Sequence, residues 1–180
     1  MTTVRRTRKG GFTLVEILIV VIILGILAAI VIPQFTSASQ DARKNSLTSQ
    51  LQTLRSQIEL YKLQHLDQLP AGLNGAVGTT TPATAWNQLI NKTNAAGTVG
   101  TDSTLFAFGP YLQSNPSNPL NGDTNVFIVT ADVTMGAASG AGTNDGFVFN
   151  KSNGKIWGTS GGTGSVTYNE ANPNDAGNDD

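Results

Sequence analysis

The sequence predicts an α+β chain. A long N-terminal α-helix, apolar in its first half and amphipathic in its second, packs against a small antiparallel β-sheet, and the C-terminal region is loop-rich. Three observations predict this. From Phe12 to Ile32 run 21 positions whose only polar side chains are Thr13 and Glu16. Leu47, Leu51, Leu54, Ile58 and Tyr61 then recur at spacings of four and three, the period of a helix with one buried face. Finally, Gly146-Phe147-Val148-Phe149-Asn150 and Lys155-Ile156-Trp157 flank Lys151-Ser152-Asn153-Gly154, a hairpin turn signal.

At ~1.5 Å rise per residue the apolar run spans roughly the ~30 Å hydrocarbon core of a bilayer. Arg5, Arg6, Arg8 and Lys9 precede it, so the N-terminal end is expected to stay in the cytoplasm. Everything after Pro33 then lies beyond the membrane. Glu16 is the anomaly, because a carboxylate at such a position costs on the order of 3 kcal/mol even on the gentler insertion scales.

Pro33 removes a backbone donor and crowds the preceding turn, so the helix is expected to bend there. Beyond it Leu60, Leu63 and Leu66 widen the apolar stripe, while Arg43, Lys44, Arg55 and Lys62 fall off it and are expected in solvent. Leu69-Pro70-Ala71-Gly72 stops the helix. From Phe12 to about Leu66 the rod measures roughly 80 Å.

Residues 72–84 read as a loop. Ala85 to Ile90 reads as a short helix with Thr84 as its cap, and 91–104 as irregular chain. Gly109-Pro110-Tyr111-Leu112 and Asn115-Pro116-Ser117-Asn118-Pro119-Leu120-Asn121-Gly122 form a proline-punctuated connector. Val126 to Thr130 is the first strand. Phe147 and Phe149 share one face of the next strand and Val148 takes the other, with Trp157 expected to pack against the helix. The stretches 136–146 and 158–164 are flexible by composition. The acidic stretch from Glu170 to Asp180 is expected to be disordered.

The formal charge of the chain is −1, and residues 12–180 alone carry seven cations against twelve carboxylates. That balance excludes direct nucleic-acid binding by the C-terminal part, which would need a basic surface. There is no cysteine, hence no disulfide framework. His65, the single histidine, reads as a helix-surface residue near Asp67 rather than a catalytic base, since no nucleophile elbow accompanies it. No Cys/His cluster exists for zinc. Gly158 to Gly164 is glycine-rich but lacks the Lys-Ser/Thr of a phosphate loop. No catalytic residue is assigned.

The run Lys9-Gly10-Gly11-Phe12-Thr13-Leu14-Val15-Glu16 closely resembles the leader of type IV pilins and type II secretion pseudopilins. In that family the leader ends in glycine, the mature chain begins with phenylalanine, and a glutamate stands fifth. Pro33 matches the family's helix-kinking proline. The resemblance implies cleavage between Gly11 and Phe12 by a prepilin peptidase, N-methylation of Phe12, and polymerisation through the N-terminal helix. In that setting Glu16 would meet the amino terminus of a neighbouring subunit, because a buried charge needs an opposite partner. An ordinary secretory signal would carry a shorter apolar region and a small-x-small cleavage site, and only Ala28-Ala29 hints at one. A plain membrane anchor leaves Glu16 and Gly10-Gly11 unexplained.

The implied organisation is a leader over 1–11, a transmembrane and polymerisation helix over 12–33, a pilin-like globular domain over 34–168 and an acidic tail over 169–180. Lack of cysteine favours the major pseudopilin branch, and the proline connector resembles the loop before the sheet in that branch. Members of the branch resemble one another in a calcium-stabilised C-terminal loop, which makes Asp123, Asp132 and Asp145 the candidate ligands, although no EF-hand spacing is present. The expected protein is a single-pass inner-membrane subunit, N-terminus cytoplasmic and C-terminal domain periplasmic, without chemistry of its own. It would stack into a helical homo-oligomer with minor pseudopilins, on an inner-membrane platform driven by a cytoplasmic ATPase. Two alternatives stand beside this: a type IV pilin of a surface fibre for adhesion, motility or DNA uptake, and a membrane-tethered binding domain that never polymerises.

Overall fold

A computed structural model describes residues 11–134, 144–160 and 166–171. Helix α1 covers Leu14–Gln64, and the chain divides into two compact units between Asp41 and Ala42. In the first unit the helix continues through Pro33, whose missing donor removes a backbone bond without ending the element.

The second unit is built on the leucine stripe. Leu47, Leu51, Leu54, Ile58 and Tyr61 are all buried, as the spacing predicts. The three leucines expected to widen the stripe do not join it: Leu60, Leu63 and Leu66 are 40%, 82% and 85% exposed. Lys44, expected in solvent, is buried. Helix α1 ends at Gln64, short of the predicted stop, because Leu66 and Asp67 turn left-handed (φ 55° and 64°). The Asp67 N–H then donates to the Lys62 carbonyl at 2.8 Å, which satisfies one of the carbonyls a helix end leaves open.

Strand β1 (Gly78–Thr80) lies in the stretch expected to be a loop. The expected short helix is two single turns, α2 (Pro82–Ala85) and α3 (Asn87–Ile90), meeting at Trp86. The cap position of α2 is Thr81, not Thr84; Pro82 at the first helical position fixes the start. Strands β2 (Asn125–Val129), β3 (Asp145–Asn150) and β4 (Ile156–Gly158) complete a sheet of order β1-β2-β3-β4. The hairpin of β3 and β4 is antiparallel as predicted, but β2 and β3 run parallel. The sheet is therefore mixed, not antiparallel. A parallel pair needs a crossover of a dozen or more residues, and the connection over 130–144 is that long; its residues 135–143 lie outside the described residues, as do 161–165 of the glycine-rich stretch.

Phe147, Phe149 and Ile156 face α1 and share one core with Trp86, Leu89 and Tyr168. Val148 faces the other way, as its alternation predicts. Trp157 does too: it pairs with Val148 in register, so it packs with Phe127, Val129 and Val133 on the outer face rather than against the helix. The helix-side aromatic is Trp86, fully buried, edge-on to Phe147 at 5.6 Å, its indole N–H donating to the Thr124 carbonyl at 2.9 Å. Register also slips at Gly146, which is skipped between the Asn125 and Val126 pairings. A Cβ there would sit 2.2 Å from the Asp123 carbonyl oxygen, so only glycine allows that approach.

The chain returns to α1 at its end. Tyr168 is buried with its hydroxyl 3.5 Å from that of Thr48. Arg55 grips Glu170 with both guanidinium nitrogens, at 2.9 and 2.5 Å, and donates to the Ile156 carbonyl at 2.8 Å. Glu170, expected at the start of a disordered tail, is thus anchored, and Arg55 is not a freely solvated cation; residues 172–180 lie outside the described residues. The two-pronged geometry makes this pair stronger than a surface ion pair. Glu170→Gln is expected to destabilise residues 42–180 by about 1 kcal/mol, read as a lower urea midpoint with unchanged slope.

Candidate functional site

The feature that sets this chain apart is the first half of α1. Its large apolar side chains from Phe12 to Ile32 are 42–83% exposed in the isolated chain. Among the described residues, α1 is the one helix long and apolar enough to cross a membrane. Such a surface has to be covered by lipid or by other protein.

At its start Thr13 and Glu16 form a reciprocal cap. The Glu16 N–H donates to the Thr13 hydroxyl oxygen at 3.2 Å. The Glu16 carboxylate accepts from the Thr13 N–H at 2.9 Å and from its hydroxyl at 2.8 Å. This is a capping box, and its signal, Thr-x-x-Glu before an apolar run, stands in the sequence unread. Glu16 therefore has a local role at the helix start, beside Phe12. A Cβ on Gly11 would meet nothing within 4 Å, so packing does not explain the glycine that precedes Phe12.

His65 is not on the helix surface. It is 1% exposed, stacked on Tyr61 at 3.8 Å and edge-on to Phe108 at 5.3 Å. Nδ1 lies 2.8 Å from the Tyr61 carbonyl and Nε2 3.0 Å from the Thr93 hydroxyl. A carbonyl only accepts, so Nδ1 donates to Tyr61, while Nε2 pairs with the Thr93 hydroxyl. Both nitrogens are thus engaged within the core, beside the Tyr61 phenol, which is pushed up to about 12 by burial and then by Tyr111.

The three calcium candidates do not converge. Asp132 is bonded by Lys155, Asn150 and Asn153. The Asp145 carboxylate is buried and accepts from the Thr79 hydroxyl at 3.0 Å. Asp123 is partly exposed, and its backbone bonds Asn118 and Asn121. Among the described residues no group of three or more carboxylates or other metal-binding side chains exists. Asp123, Asp132 and Asp145 therefore do not form one carboxylate cluster. The Lys155 bond, then those of Asn153 and Asn150, lower the Asp132 carboxyl from 3.8 to about 2. A depressed carboxyl stabilises the fold above the unfolded value, and that contribution is lost as pH falls toward 2. Asp132→Asn is expected to flatten the acid limb of stability between pH 4 and 2, measured by denaturation at each pH.

Residues 6–32 match the family described as the prokaryotic N-terminal methylation motif. With that motif, the long helix and the small sheet, the chain has the pilin-like architecture. It is 41% identical over 58 residues to the type II secretion system core protein G of Dickeya chrysanthemi, covering 32% of this chain and 38% of that protein. Against the core protein G of Aeromonas hydrophila it is 28% identical over 115 residues, 64% of this chain and 70% of the relative. Prepilin peptidase-dependent protein D of Escherichia coli K12 is 40% identical over 79 residues, 41% of this chain and 52% of that protein. The matched part spans about two fifths of the length of the Dickeya relative and of the core protein G of Pseudomonas aeruginosa, at 38% and 43%. No solved structure matches the chain. The motif and these relatives support a pseudopilin of the core protein G branch.

Proposed function

We propose that this chain is a structural subunit of a type II secretion pseudopilus, anchored in the inner membrane before assembly and polymerised through the first half of α1. The observation that carries this reading is an exposed apolar first half of α1 with one carboxylate at its start, in a chain similar to secretion core protein G. Outside the bilayer that surface is covered best by copies of itself. Glu16, leaving its cap, gives an incoming neighbour's Phe12 amino group an acidic partner, and the opposite charges offset the cost of burial. Similarity to a prepilin peptidase-dependent protein supports removal of residues 1–11 and methylation of Phe12, and Gly11, free of any packing role, suits a protease subsite.

The test is mass spectrometry of the protein from its own cell. The expected chain starts at N-methyl-Phe12. A terminus near Ala29, or retained Met1, contradicts the proposal. Gly11 replaced by a bulky residue should leave the precursor uncut. Long fibres on the cell surface would point instead to a type IV pilus. In line with the dispersed carboxylates, chelation by EDTA is expected to shift the melting temperature of residues 42–180 by less than ~2 °C.

A further inference from the structure

We propose that the end of α1 around Leu63 and Leu66 is a contact surface for a second copy of this chain within the assembly, an inference that rests on the filament reading above. Two independent features single it out. Leu63, on the outer face of α1, and Leu66, two residues past its end, are 82% and 85% exposed. Leu66 is also left-handed, at φ 55°, a conformation that penalises any residue with a Cβ and that helix ends commonly give to glycine. A leucine here is therefore unfavourable twice, in backbone conformation and in exposed apolar surface. Strain kept without a packing return marks a site that serves something else.

Leu66 also borders a cleft of about 310 Å³ shared with Leu69, Ala95 and Ala96. Two of its polar side chains are already engaged: the Tyr61 hydroxyl donates to Gln88, and the Gln88 amide donates to the Gly97 carbonyl. The wall is mixed: Gln68 is polar, while Leu66, Leu69, Ala95 and Ala96 offer the apolar surface that a neighbour's side chain can cover. Size identifies the occupant. Two leucines and the cleft wall offer a few hundred Å² at most, far below the roughly 800 Å² per partner of an interface that forms from solution. Such a patch works only for a partner already held alongside, as copies stacked through their N-terminal helices would be.

The test uses the full-length chain in its native cell. Leu66→Gly relieves the strain, so the detergent-solubilised variant should melt about 2–5 °C higher, while its filament yield falls about fivefold or more. Stabilisation with loss of assembly is the signature of a contact residue; a purely structural role would not move the two in opposite directions. The chain lacks cysteine, so Leu63→Cys carrying a photo-crosslinker gives a second readout, and its adduct should join copies of this chain. Normal yield from Leu66→Gly, a lowered melting temperature, or crosslinks only to other proteins overturns the inference. If the unmodified chain makes no filaments at all, the filament reading fails first and this contact falls with it.

Discussion

Glu16→Ala is expected to abolish filament assembly, by at least about tenfold in yield, while membrane insertion stays intact or improves. Removing a carboxylate from an apolar segment lowers its insertion cost by on the order of 3 kcal/mol. The same change deletes the acidic partner proposed for the neighbouring Phe12 amino group and the acceptor of the Thr13 cap. Glu16→Gln separates the two roles, because glutamine completes a capping box but carries no charge. With Gln at this position, assembly should remain lost. Recovery of normal yield by Glu16→Gln would mean that helix capping, not charge pairing, is what the filament needs. The readout is the fraction of processed subunit recovered in sheared filaments, set against the fraction in membranes.

Trp86→Ala is expected to cost residues 42–180 about 3–5 kcal/mol, the range for deleting a buried aromatic. Trp86 is fully buried between α2 and α3, meets Phe147 edge-on and spends its indole N–H on the Thr124 carbonyl. Its loss therefore opens a cavity in the core and removes the indole partner of the Thr124 carbonyl. A domain of this size has only about 5–15 kcal/mol to lose, so the variant should be close to unfolded at 37 °C. Urea denaturation followed by Trp157 fluorescence measures it; a cost below ~1 kcal/mol would mean that the core closes without Trp86.

What the sequence disclosed follows from the range of each signal. The apolar run and the leucine stripe are periodic and local, so both were legible, as were the hairpin and the opposed faces of Phe147 and Val148. Strand β1 was not: Thr79 and Thr80 are β-branched, but three residues opening on a glycine are too short to show alternation, and they form a strand because they pair with Val126 to Ile128. Parallel pairing of β2 with β3 depends on a crossover that composition marks only as flexible. His65 looked like a surface residue because the partners that bury it, Thr93 and Phe108, lie far along the chain. Leu60 and Leu63 stand two positions past the buried Ile58 and Tyr61, so they turn away from the core face, and Leu66 lies past the end of α1, where the chain is left-handed. Trp157 went to the wrong face for a simpler reason: one residue of register decides which side of a sheet a side chain takes. At the N-terminus the Thr13-x-x-Glu16 box is a wholly local signal, and its bonds form as that spacing dictates.

Cryo-electron microscopy of filaments purified from the native cell tests the central claim most directly. The map is expected to place residues 12–32 of every copy side by side along the filament axis. Each Glu16 should lie within hydrogen-bond distance of a neighbour's Phe12 nitrogen, with the domains built on Leu47 to Tyr61 forming the outer layer. A map with these helices pointing outward, or the same helical symmetry formed by residues 42–180 alone, would contradict it.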